Sequence, residues 1–161
     1  MPDTADSRVT RTDIDARLAE RVLARLQPAP FWDHLSCTIV RATAGSATVA
    51  FPNRPEHGRS TNNGDGAAHG GAIASLIDMA ASCALLTVLA EEGRTTIDLA
   101  VHYLAPARGM LTATATVRRR GGRTAVIDIE VEGADGALAA LGRATFAVLR
   151  GNASREPNRA G

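Results

Sequence analysis

The sequence predicts an α+β domain in which one long antiparallel β-sheet wraps around a buried central α-helix. Three observations predict it. From Ala72 an apolar run of nineteen residues, AIASLIDMAASCALLTVLA, carries a single charge, Asp78. Such a run in a soluble chain forms a helix that is covered on nearly every face. Four segments after it alternate apolar and polar residues with period two, the mark of antiparallel strands. The length of 161 residues suits one domain, and 45% hydrophobic against 22% charged residues supplies a core that needs no disulfide or metal staple.

The elements follow in order. A helix begins at Asp13, where Ile14, Leu18, Val22 and Leu26 recur every four residues. Pro28 and Pro30 are expected to stop it. Residues 35–41 and 47–51 read as two strands joined by a turn at Gly45-Ser46. A loop rich in Pro, Asn and Gly runs over 52–68. The apolar helix comes next. It is long enough to invite a membrane span, but Asp78 lies in its middle and no aromatic or basic anchor flanks it. Strands are then expected at 96–104, 111–117, 125–131 and 138–148. The first carries Ile97, Leu99, Val101 and Tyr103 on one face, and the last carries Leu138, Ala140, Gly142, Ala144, Phe146 and Val148. Residues 1–12 and 151–161 read as polar tails around one domain over 13–150.

Composition narrows the function. Eighteen basic and seventeen acidic residues leave a charge of +1, which argues against nucleic-acid binding. Aromatics at 3% argue against a base-stacking platform. The four histidines (34, 57, 69 and 102) and the cysteines Cys37 and Cys83 lack metal-ligand spacing, so no metal or other cofactor is expected. The first residues lack the apolar stretch of a signal peptide, so a cytoplasmic location is expected.

The chemistry concentrates around the helix start. Gly70 and Gly71 open the helix, where the first N–H groups have no intrahelical partner and favour negative charge. Without a Cβ, such a residue lets a carbonyl come close to the backbone. Gly70 N–H is therefore a candidate oxyanion-hole donor. The same glycine pair also suits a tight loop-to-helix turn. Asp78 is a carboxylate in apolar surroundings, costly unless paired or used. It is a candidate general base, whose pKa burial would raise; a structural pairing with an Arg is the alternative. Eight residues of helix separate the two by about 12 Å. An Asp side chain does not span that distance, so joint action on one carbon calls for Asp78 from a second subunit.

The stretch Asn63-Gly64-Asp65-Gly66-Ala67-Ala68-His69-Gly70-Gly71, with Asp78 eight residues beyond Gly70, resembles the N-x-x-G-x-x-H-G-G pattern of hotdog-fold acyl-CoA thioesterases of the phenylacetate-pathway type. The resemblance extends over 35–149 and includes TTIDLAVHYLAP at 95–106. It implies a hotdog fold, an acyl-CoA substrate, and a homodimer or homotetramer with the site at the subunit interface. It implies that Asn63 positions a water or the acyl carbonyl, and that His69 holds the loop or bonds near the thioester. Thr96 would supply a hydroxyl that orients the nucleophile, with Thr95 as an adjacent competitor. Gly71 joins the substrate-binding set. Among the arginines of the turn at 118–124, Arg123 with Thr124 is the candidate contact to coenzyme A phosphates, and Arg108 is a further one. The sequence departs from the family at Ala67-Ala68, where a bulky aliphatic usually precedes the His, and in a longer, more polar loop at 57–62.

The leading reading is a thioesterase in which Asp78 activates water or attacks as a nucleophile. The alternatives are a non-catalytic acyl-CoA-binding hotdog protein and a hotdog hydratase or dehydratase. The hydratase pattern G-D-x-N-P-x-H starts at Gly64-Asp65 but lacks its Asn and Pro.

Overall fold

A computed structural model describes residues 11–59 and 65–149. The first helix, α1 (Arg11–Leu26), buries Val22 and packs Leu26 against the core. Arg25, in its last turn, donates to the carbonyl oxygens of Leu89 (2.8 Å) and Glu92 (2.7 Å), tying α1 to the far end of the central helix.

α1 ends at Leu26, ahead of Pro28 and Pro30 as expected, but Pro30 has a second part. It opens a short helix, α2 (Pro30–Leu35), in the first turn, where a missing N–H costs nothing. Trp32 and Leu35 are buried in it, and Ser36 ends it in the left-handed region at φ 54°. The strand expected at 35–41 is therefore displaced to β1 (Thr38–Thr43), which pairs with β2 (Ser46–Pro52).

The central helix, α3 (Gly70–Leu86), buries Ile73, Leu76, Ile77, Ala80, Ala81 and the stretch from Cys83 to Leu86. It is not covered all round. Ser75, Asp78 and Ser82 are only partly buried and Gly71 is exposed, so the small and polar residues form one open stripe at spacings of three and four. The four remaining strands are β3 (Gly93–Tyr103), β4 (Met110–Arg120), β5 (Thr124–Glu132) and β6 (Leu138–Leu149). All pairings are antiparallel, and the six strands lie in the order β1-β2-β4-β5-β6-β3. One long sheet thus wraps α3. The helix comes close to β6 at Gly142, where an added Cβ would lie 2.5 Å from Cγ2 of Ile77. The expected inward face of β6 is observed from Ala140 to Val148, but Leu138 at its start is 40% exposed.

The alternation expected in β3 is broken. The register against β6 slips between Thr96 and Asp98, so Ile97 is an extra, bulged residue and is 59% exposed. Leu99 and Val101 pack toward the core as expected, whereas Ile97 leaves that face and Thr96 takes it, opposite the buried Phe146. β3 is also an edge strand of eleven residues whose outer side is unpaired among the described residues.

Candidate active site

Two clusters lie along α3. At the helix start, His69 is the N-cap, and its Nδ1 accepts the Gly71 N–H at 2.9 Å. The imidazole thereby consumes one of the free donors at the helix end. The Gly70 N–H has no acceptor among the described residues. Of the two glycines expected to serve the substrate, Gly70 is the one with a donor to spare. Tyr103, on β3, donates its hydroxyl to the Gly70 carbonyl at 2.9 Å. Its ring would stand 3.2–3.5 Å from a Cβ at position 70, so a side chain there would crowd the aromatic wall. A cavity of about 290 Å³ opens at this point, lined by Gly70, Ile73, Tyr103, Leu104 and Arg59.

The second cluster lies two turns further on. Thr96 donates its hydroxyl to Oδ1 of Asp78 at 2.8 Å. One turn beyond, Arg94 Nε donates to Ser82 Oγ at 2.6 Å. Residues 78 and 82 of the helix thus face residues 96 and 94 of the strand, two parallel links from β3 to α3. Burial pushes the Arg94 guanidinium below its ordinary value.

Near the first cluster, Asp65 is gripped from two sides. Arg59 pairs with its carboxylate, and Arg108 donates from Nε to the Asp65 carbonyl (2.9 Å) and from Nη2 to Oδ2 (3.0 Å). The Arg59 hydrogen bond is the main reason that the Asp65 carboxyl is held down at about 2. Arg108, expected on phosphate, is thus seen bracing the approach to Gly70. Arg123 and Thr124 are exposed in the β4–β5 turn. The sheet register runs Thr124–Ala147–Thr95 and Ala125–Phe146–Thr96, which sets that turn level with the Asp78 end of β3. Asn63 lies outside the described residues, as do most of both expected tails.

Sequence reasoning missed Tyr103, Arg94 and Ser82. Ser82 carried a signal, since it lies four residues after Asp78 and so on the same helix face. The thiols are not nucleophile candidates. Both cysteines are free, and burial pushes Cys37 up to about 11 and Cys83 up to about 12. Among the described residues no group of side chains is arranged to hold a metal ion, and no helix is long and apolar enough to cross a membrane.

Comparison with known proteins agrees with this picture. Residues 65–140 match the family model of the thioesterase superfamily. A putative esterase of Halobacterium salinarum is 40% identical over 107 residues, which cover 60% of this chain and 71% of the relative. The medium/long-chain acyl-CoA thioesterase YigI of Escherichia coli K12 is 33% identical over 134 residues, covering 74% of this chain and 85% of the relative. The solved structure of the E. coli PaaI protein from the phenylacetic acid degradation operon shares the fold at a TM-score of 0.73. It is 24% identical and covers 85% of this chain and 96% of its own. The chain belongs to the thioesterase superfamily. Within it, the fold is the hotdog fold of the PaaI type and the activity is thioester hydrolysis.

Proposed function

We propose that the protein hydrolyses acyl-CoA thioesters of medium-chain or aryl-acyl groups, with Asp78 activating the attacking water and the Gly70 N–H holding the oxyanion. The observation that carries the reading is the Thr96–Asp78 hydrogen bond. It fixes one carboxylate oxygen of the only charged residue of α3 and leaves the other for a water. The relative named as a medium/long-chain acyl-CoA thioesterase supports coenzyme A as the carrier. The two buried free thiols accord with a reducing cytoplasm.

The site is completed by a second copy. Gly70 and Asp78 of one chain stay about 12 Å apart along the helix axis. The unpaired edge of β3 invites an antiparallel partner. In a two-fold pairing each contact occurs twice, and opposed residues share a face. If the bulged Ile97 is left out of the count, a centre on any residue satisfies both conditions, and a centre at Ala100 is the one that sets Thr96 against Tyr103. Leu99 then faces Val101, Asp98 faces His102, and Thr96 faces Tyr103. That register brings Asp78 of one copy beside Gly70, His69 and Tyr103 of the other. A homodimer with two composite sites follows, with pairing into a tetramer as a further step.

The test is thiol release from a panel of acyl-CoAs by wild type and Asp78→Asn. A loss of several orders of magnitude, with an unchanged melting temperature, supports the reading. Equal turnover of the two proteins refutes it. Single-turnover labelling with heavy-oxygen water distinguishes a base from a covalent nucleophile, because only the nucleophile route incorporates solvent oxygen into the Asp78 carboxylate.

A further inference from the structure

We propose that Arg94 is a positioning residue for Asp78: with Ser82 it locks β3 against α3 so that the Thr96 hydroxyl stays on Oδ1. This rests on the reading of Asp78 as the base. The geometry is that of two adjacent rungs. The strand supplies Arg94 and Thr96 on one face, just before the bulge at Ile97. The helix supplies Ser82 and Asp78 one turn apart. Bonds of 2.6 and 2.8 Å close the two rungs. Were the outer rung released, the edge strand would be held to α3 at this end only through Thr96 itself.

Arg94 acts on Asp78 without touching it, since among the described residues the two form no direct ion pair. Ser82 is the only acceptor that the Arg94 side chain has among the described residues, so the bond fixes where the charge sits. The other charged or titratable groups around the pair are few. Arg25 reaches it from α1 and Cys83 from α3. The residues of β6 opposite Thr96 and Arg94, Phe146 and Val148, are apolar. In the composite site, His69 of a second copy also faces Asp78.

The experiment measures kcat and KM for wild type, Arg94→Met, Arg94→Lys, Ser82→Ala and Asp78→Asn, with melting temperatures alongside. Arg94→Met is expected to lower kcat by roughly tenfold or more and to leave KM within about twofold. Arg94→Lys recovers only part of kcat, because an ammonium does not reproduce the Nε bond. Ser82→Ala lowers kcat by roughly threefold to tenfold at unchanged KM and adds little to Arg94→Met, since both break the same rung. A kcat within about twofold of wild type in both Arg94→Met and Ser82→Ala, or a loss that falls on KM instead, overturns the inference. Should Arg94→Met not fold, Ser82→Ala decides it. If Asp78→Asn is fully active the reading of Asp78 itself falls. If Asp78→Asn is inactive and the Arg94 variants behave like wild type, only the role of Arg94 falls.

Discussion

A two-fold centred at Ala100 makes a sharp demand on the outer face of β3. Asp98 and His102 are both exposed and both point away from α3. In the proposed register each Asp98 lies directly opposite the His102 of the other copy, so the seam holds two such pairs. An exposed cross-strand pair of opposite charge contributes about 0.2–1 kcal/mol. His102→Asp exchanges attraction for repulsion of similar size at both places. The cost is about 1–4 kcal/mol per dimer, or roughly fivefold to several hundredfold in the dissociation constant. The double variant, Asp98→His with His102→Asp, rebuilds both pairs with their signs reversed. The assay is sedimentation over a dilution series at about pH 6, with thioesterase activity read on the same samples. His102→Asp should dissociate at higher concentration and lose activity in proportion, and the double variant should recover both. An independent check is Ala100→Cys, since directly opposed residues on paired strands have Cα atoms about 4.5–5.5 Å apart, within disulfide range. A double variant no better than His102→Asp, or an Ala100→Cys dimer that does not cross-link under oxidation, refutes this register.

Two further outcomes follow from packing and charge. Gly142→Ala would set a methyl 2.5 Å from Cγ2 of Ile77 and 3.5 Å from Cβ of Ile129. Such overpacking costs about 1–3 kcal/mol, or several degrees of melting temperature; Ile77→Leu removes the offending branch and should recover part of that loss when combined with it, as thermal unfolding would show. The grip on Asp65 should be acid-labile. Its folded-state carboxyl titrates at about 2 against an ordinary 3.8, so the stabilisation is complete above 3.8 and fades as pH falls toward 2. Protection of the Ala67 amide, which donates to Asp65 Oδ1 at 3.1 Å, should therefore fall across that window relative to its intrinsic exchange rate, and in Asp65→Asn it should be the same above and below it.

Much of the architecture was legible because one physical contrast dominates the chain. A nineteen-residue run with a single charge needs cover on most sides, and the alternating segments after it have one apolar face to offer. The turn at Gly45-Ser46 marked its own place, and Gly45 sits at positive φ. What was not legible is local. Pro30 reads as a breaker, yet a proline in the first turn of a helix costs nothing, and only the burial of Trp32 and Leu35 decides that a helix starts there. At the site, the motif pointed to Gly70, and the structure adds that the His69 imidazole takes the Gly71 N–H while the Gly70 N–H has no acceptor among the described residues. A spacing pattern does not show which of two neighbouring amides is already satisfied. Nor does alternation along a strand show that the Tyr103 hydroxyl reaches the Gly70 carbonyl.

The choice between Thr95 and Thr96 shows the limit most clearly. Counting back by twos from Tyr103 along an unbroken strand puts Val101, Leu99, Ile97 and Thr95 toward the helix. On that count Thr96 points away and Thr95 meets Asp78. The structure inserts one extra residue, Ile97, and every position before it changes face. Thr96 turns onto Asp78 and Arg94 onto Ser82, while Thr95 takes the opposite face. The bulge thus sets both links between β3 and α3. An isoleucine that period-two patterning assigns to the core is instead 59% exposed at the edge of the sheet. A large apolar side chain in that position, beside an unpaired strand edge, is itself what a second copy would cover.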